Sequence, residues 1–221
     1  APEFLPIAED SGQVRAVEYY ALEQVGSYIR RLLDAGTEFD SIALPVSSVL
    51  FLQEDFTEQV AGLMERYQIP QGRLAIELPE DVFTMGSLTV NTTLQNLSSM
   101  GAELILDNFG SGLSSITGLL DLSVNTLKLD RMLLWQLETN PKAAAVINGL
   151  VQIVRNLGLN IIAEGVKTEQ QLEVLASSGC PFQQGFYYSP AVGEDTMTRI
   201  LGTDLKSSLP VIEQEKLRLR R

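Results

Sequence analysis

Residues 126–166 read TLKLDRMLLWQLETNPKAAAVINGLVQIVRNLGLNIIAEGV, and this run decides the fold class. A short apolar segment at 126–129 precedes a long run at 141–157. There Val146, Ile147, Leu150, Val151, Ile153 and Val154 recur at helical spacing, and a second short apolar segment follows at 161–163. Short apolar runs flanking an amphipathic helix are the pattern of a parallel βαβ unit, because a crossover helix buries the strands it connects.

The same alternation extends in both directions. Upstream, Val14, Val17, Leu22, Val25, Ile29 and Leu32 predict a helix over 13–35 that stops at Gly36. Strands are expected at 42–46, 74–78 and 104–107, with helices at 55–67 and 88–100 and a short helix at 114–120. Downstream come a helix at 169–177, a strand at 182–188 and a helix beginning at 197–201. Six strands alternating with helices, and no low-complexity segment between them, predict one α/β domain with a parallel sheet.

The 221 residues carry 16 Lys+Arg against 28 Asp+Glu and no His, a formal net charge of −12. That balance disfavours DNA or RNA as partners, since nonspecific nucleic-acid binding depends on Lys and Arg neutralising phosphates. The absence of His excludes His-based triads and His-ligated metals, so any metal must be held by oxygen ligands. One cysteine, Cys180, cannot form an internal disulfide and reads as a small buried apolar residue. No apolar run reaches the ~18 residues of a membrane span, and no leader pattern opens the chain. A cytoplasmic location is expected, including that of a cytoplasmic module of a membrane-anchored protein.

In barrel folds the C-terminal strand ends and the loops after them hold the active site. Those ends carry Ser47 and Ser48, Glu77 and Glu80, Asp107 and Asn108, Lys128 and Asp130, Glu164, and Gln184. A single Asp or Ser there reads as a helix cap. Polar groups at six successive ends point to a shared mouth.

Leu106-Asp107-Asn108-Phe109-Gly110-Ser111-Gly112, Leu127-Lys128-Leu129-Asp130-Arg131, Ile162-Ala163-Glu164-Gly165-Val166 and Gln184-Gly185-Phe186 resemble, in order and spacing, the signature of EAL domains, the cyclic di-GMP phosphodiesterase family. Glu77-Leu78-Pro79-Glu80 is similar to that family's Glu-Leu-Thr-Glu segment, and residues 3–9 to the stretch after its Glu-Ala-Leu strand. The resemblance implies a (β/α)8 TIM-barrel-like EAL fold over 1–203, followed by a C-terminal extension at 204–221. It also implies that the N-terminal strands, with the motif Glu, are missing from the chain.

Family enzymes hold Mg2+ or Mn2+ on carboxylates and an Asn to activate water for phosphodiester hydrolysis. Carried over by position, the resemblance assigns Glu77, Asp107, Asp130 and Glu164 to the metal site. Lys128, Asp130 and Glu164 become the catalytic equivalents, and Glu80, Gly110 and Gly112 the loop support. The family's Asn, however, is Pro45, its second Asp is Asn108, and the Glu after Glu-Gly-Val is Lys167. The last two changes make the pocket about three charge units less negative, which disfavours cations and favours a phosphate arriving without metal.

The expectation is therefore a degenerate EAL domain, with metal binding weak or absent and no cofactor needed for ligand binding. Mg2+ or Mn2+ would matter only to residual hydrolysis. Such a receptor would take cyclic di-GMP on Glu77, Asp107, Asn108, Lys128, Asp130, Glu164, Gln184, Ser189 and Pro190, and couple it to a homodimer, another signalling domain or a protein partner. A ligand-free interaction module and a weak phosphodiesterase are the alternatives. Several residues keep two readings. Lys128 could instead pair with Asp107 or Asp130, and Lys167 could be an exposed helix-start charge. Residues 186–188 could pack rather than stack a base, the 213–221 segment could touch a membrane or be a solvated helix end, and Trp135 sits where family members build a dimer contact.

Overall fold

The computed structural model describes residues 13–84, 88–111, 119–120 and 123–202. The chain divides into two compact units, Ala1–Ile105 with Leu122–Val124, and Leu106–Asp121 with Asn125–Arg221. Among the described residues, six strands follow one another in the sheet in chain order.

In the first unit the long periodic segment forms α1 (Val14–Asp34) and leads into β1 (Ile42–Pro45). Next come α2 (Ser48–Phe51), α3 (Phe56–Arg66), β2 (Leu74–Pro79), α4 (Glu80–Thr84) and α5 (Leu88–Ser99). β1 runs parallel to β2, with Ile42 opposite Leu74 and Pro45 opposite Glu77. The apolar stripe of α1 (Leu22, Ile29, Leu32) and that of α3 (Phe56, Val60, Leu63) are buried. Gly26 lets the two helices approach closely, because a Cβ there would lie 2.8 Å from the Tyr67 ring and 2.9 Å from Leu63. Across the same seam the Tyr67 hydroxyl donates to Glu23 at 3.1 Å, and Arg66 pairs with the same carboxylate.

β3 (Glu103–Phe109) passes from the first unit into the second. The second unit holds β4 (Thr126–Leu129), α6 (Arg131–Trp135), a 3-10 turn at Gln136–Glu138, α7 (Ala143–Asn156) and β5 (Asn160–Glu164). It ends with α8 (Glu169–Ser178), β6 (Phe182–Gln184) and α9 (Glu194–Leu201). β4, β5 and β6 are parallel neighbours. Ile147, Val151 and Val154 of α7 are buried, as are Leu127, Leu129, Ile161 and Ala163 of the strands, so the βαβ reading of 126–166 holds. Thr168 and Gln171 close a capping box at the start of α8, and Gly179 ends that helix in the left-handed region, at φ +74°.

Two expectations need correction, and three short helices have no counterpart among them. The strand expected over 182–188 ends at Gln184, because Tyr188 and Ser189 donate their N–H groups back to the Gly185 carbonyl and close a turn. Short helices at Ser48–Phe51, Glu80–Thr84 and Arg131–Trp135 escape a periodicity test that needs longer windows. The last helix starts at Glu194, three residues before the first apolar position of its stripe. The helix expected at 114–120 falls mainly outside the described residues, as do Gly112, residues 3–9 and the 204–221 extension. Among the described residues no helix is long and apolar enough to cross a membrane.

Cys180 is buried, and its thiol donates to the Phe182 carbonyl at 3.4 Å. Burial pushes the thiol pKa above its ordinary value. The folded state therefore favours the protonated thiol. That contribution is complete below the unfolded-state pKa and declines as pH rises through the folded one. Labelling of native protein with a maleimide at pH 8 should be slow and should become fast in denaturing urea; equal rates would show that Cys180 is accessible in the fold.

Candidate functional site

Parallel pairing places Lys128 opposite Ile162, and Phe182 opposite that same residue; Glu164 lies opposite Gln184. Side chains alternate along a strand, so Lys128, Glu164 and Gln184 share one face of the sheet. Lys128 is 4 % exposed. Its Nζ lies 3.8 Å from Asp107 Oδ1 and 3.9 Å from Glu164 Oε2. An ammonium this deeply buried needs compensating charge, and these two carboxylates from β3 and β5 provide it. Of the two pairings that the alternative reading of Lys128 allows, the structure shows the one with Asp107, and the second carboxylate beside the ammonium is Glu164.

Asp130 is buried at the end of β4 with its carboxylate turned to the backbone: Oδ1 accepts the Met132 N–H at 2.6 Å and caps α6. The charge that reads as catalytic in the sequence is engaged as a helix cap. Asn108 takes the left-handed conformation, φ +58°, which asparagine tolerates better than most residues. In that pose its backbone N–H donates to Asp107 Oδ1 at 2.9 Å and its amide Nδ2 donates to Oδ2 at 3.1 Å. An Asp at this position would bring a second negative charge where Asn brings a donor.

Ser47 and Ser48 serve the first unit's own framework. Ser47 caps α2 through the Leu50 N–H and donates its hydroxyl to Glu18 at 2.7 Å, while Ser48 donates to Asp81 at 2.7 Å. Pro45, opposite Glu77 in register, has no side-chain acceptor to contribute. Glu77 and Glu80 are both buried and belong to the first unit, whereas Asp107, Asn108, Gly110, Lys128, Asp130, Glu164, Gln184, Ser189 and Pro190 belong to the second. Gly110 adopts φ +92°, as a loop glycine at that turn requires.

Within the second unit a cavity of about 660 Å³ lies beside Glu164 and Gln184, lined also by Arg131, Trp135, Lys167 and Tyr188. Backbone contact between two loops shapes it. Val166 donates to the Gln184 carbonyl at 3.0 Å and accepts from Tyr187 N–H at 3.0 Å. Gly185 is squeezed between them, since a Cβ there would lie 2.1 Å from the Val166 oxygen. Burial raises the Tyr188 pKa, so its hydroxyl stays protonated and donates to Gln183. Ser189 and Pro190 line the cavity, while Phe186 stands 65 % exposed and does not pack in the core.

Sequence reading missed two participants. Gln171 is fully buried, and its side-chain oxygen accepts the Lys167 N–H at 2.7 Å. Trp135, whose position reads only as a dimer contact in the sequence, also lines the cavity and donates its indole N–H to the Gly165 carbonyl at 3.2 Å. The Thr-x-x-Gln capping signature at 168–171 was the one available signal for Gln171. Among the described residues, no three acidic or cysteine side chains converge closely enough to hold a cation.

A family model described as EAL domain matches residues 1–191. The chain is 32 % identical over 184 residues to the bifunctional diguanylate cyclase/cyclic di-GMP phosphodiesterase MucR of Pseudomonas aeruginosa, covering 83 % of this chain and 27 % of that protein. It is 29 % identical over 188 residues to the signaling protein YkoW of Bacillus subtilis, covering 85 % and 23 %. The chain thus spans about a quarter of the length of these curated relatives. Among solved structures, the PaMucR phosphodiesterase in complex with c-di-GMP superposes with a TM-score of 0.84 at 30 % identity, over 89 % of this chain and 79 % of that one. The EAL domain of Mycobacterium smegmatis DcpA gives 0.77 at 31 % identity, over 82 % of each chain.

Lys128→Met should lower unfolding stability by roughly 1–3 kcal/mol, below the ~3–5 kcal/mol of a fully buried pair because Asp107 and Glu164 retain some solvent. Adding Asp107→Asn should recover part of that loss. Urea denaturation of the double-mutant cycle measures both, and additive effects would deny the coupling. Gly185→Ala should cost at least about 2 kcal/mol, since the clash is with backbone; a wild-type melting midpoint would contradict that.

Proposed function

The chain belongs to the EAL domain family, and on that premise we propose that it is a cyclic di-GMP receptor that binds its ligand without a metal ion and does not hydrolyse it. The observation that carries this reading is the state of Asp107 and Glu164. Lys128 Nζ lies between them, and both oxygens of Asp107 accept hydrogen bonds from Asn108.

Mg2+ or Mn2+ in such a site would polarise the phosphoryl group and supply hydroxide near neutral pH. Mg2+ keeps several waters and is held by one or two carboxylates free to ligate, with substrate phosphate completing the shell. The donor set of the second unit does not fit that need. Asp107 is held by an amide and an ammonium, Glu164 faces the same ammonium, Asp130 caps a helix, and Asn108 has replaced a carboxylate. The cavity beside Glu164 suits a phosphodiester ligand better, since Arg131 and Lys167 bring positive charge to its lining and residues 165 and 183–186 supply walls.

Support for the ligand comes from the family and from the PaMucR complex with c-di-GMP. Because the chain spans only about a quarter of its curated relatives, the proposal includes output through dimerisation, a further signalling domain or a protein partner. A second reading, a metal-dependent phosphodiesterase, is favoured by one observation: Glu77, Asp107, Lys128, Asp130, Glu164 and Gln184 all stand at the family's positions.

Calorimetric titration with cyclic di-GMP in EDTA should show saturable one-site binding, little changed by Mg2+ or Mn2+. Chromatography of the same mixtures should show no linear product. Steady product formation with either metal would replace the receptor by the enzyme. The absence of binding in every buffer would leave only an interaction module.

A further inference from the structure

Trp135 is the only tryptophan in the chain, and its ring carries two cations. Lys167 Nζ lies 3.8 Å from the ring centroid, and the Arg131 guanidinium carbon lies 5.4 Å from it. Both anchors of this arrangement are fixed. The indole N–H donates to Gly165, and Gln171 receives the Lys167 N–H at 2.7 Å while its own amide donates to the Leu134 carbonyl at 3.5 Å. The Lys167 side chain itself remains exposed.

Arg131 and Lys167 both line the 660 Å³ cavity, together with Glu164. The two cations outnumber the one carboxylate, so the charged lining is net positive in a chain whose formal charge is −12. The remaining lining includes Phe186, Tyr188, Pro190 and Val192, which offer apolar and aromatic surface. Positive charge and aromatic surface in one cavity suit a ligand with an anionic group on a flat ring system.

We propose that Lys167, seated on Trp135 beside Arg131, is the phosphate-binding residue of this cavity, and that the cavity takes one phosphorylated purine nucleoside unit without a metal ion. The proposal deepens the receptor reading and rests on it for the identity of the larger ligand. Lys167 stands where the family has a Glu, so this recognition belongs to the chain's own substitution. An exposed cation–π contact is weaker than a charge-assisted hydrogen bond to phosphate, so an arriving phosphate can draw the ammonium off the ring. Trp135 then reports the exchange, because its ring loses the charge it carried.

Tryptophan emission, titrated in EDTA with cyclic di-GMP, GMP and guanosine, tests this in the whole chain. Both phosphorylated ligands should shift the emission, and guanosine should bind at least about tenfold more weakly, one charge-assisted contact. Lys167→Gln should weaken GMP and cyclic di-GMP about tenfold at an unchanged melting midpoint, and Lys167→Arg should retain most of the affinity. Cyclic di-GMP binding unaltered by Lys167→Gln, or guanosine binding as tightly as GMP, overturns the role of Lys167 and leaves the receptor reading intact. Lys167-dependent binding of GMP without binding of cyclic di-GMP supports the subsite and removes the receptor. A chain that binds neither by emission or calorimetry loses both.

Discussion

A lysine ammonium cannot be buried without counter-charge, and that constraint organises the second unit. Desolvating Lys128 costs several kcal/mol on its own, and the cost is offset only if carboxylates approach from the neighbouring strands. Asp107 and Glu164 do so at 3.8 and 3.9 Å, tying β3 and β5 to β4 through side chains as well as through the backbone. Asn108 then completes the hydrogen bonding of Asp107 from a left-handed turn. The result is a polar cluster in which one ammonium is shared by two carboxylates. A cluster of that kind has less to offer a divalent cation than one whose carboxylates repel each other until metal arrives.

Around this cluster the backbone does the shaping. The loop after β5 and the loop after β6 touch through Val166 and Gly185 so closely that no side chain fits between them. Gly165 is under the same demand: it sits at φ +83°, and a Cβ there would lie 2.5 Å from Arg131 Cβ. Both glycines sit within motifs that suggested ligand binding, yet each is required by chain packing before any ligand is considered. The glycines of these motifs are therefore accounted for by packing. The motifs close the wall of the cavity, and they present Glu164, Lys167 and Gln184 from it.

Capping shows how far local sequence can be trusted near a site. Ser47, Asp130 and Thr168 are all cap residues, and all three lie one or two positions from a group with a functional reading. The capping box at 168–171 holds Lys167 in place through Gln171, so a helix-start signature doubles as the support of a cavity wall. Asp130 carries the family's acidic position while its carboxylate stabilises α6, and a residue in that state is positioned before it is reactive.

The parallel α/β organisation, the six strands and the positions of the polar strand ends were legible in the chain alone, because hydrophobic period and strand-end placement are local properties that survive in any context. The departures at Pro45, Asn108 and Lys167 were equally plain, since each is a change of donor, acceptor or charge at a known place in a motif. Only the tertiary structure decided that Lys128 faces Asp107 and Glu164 rather than Asp130, that Asp130 caps a helix, and that Trp135 lines a cavity with Lys167 on its ring. Those outcomes depend on which side chains from distant strands meet. The period of an element states which face a residue occupies but not what stands across from it.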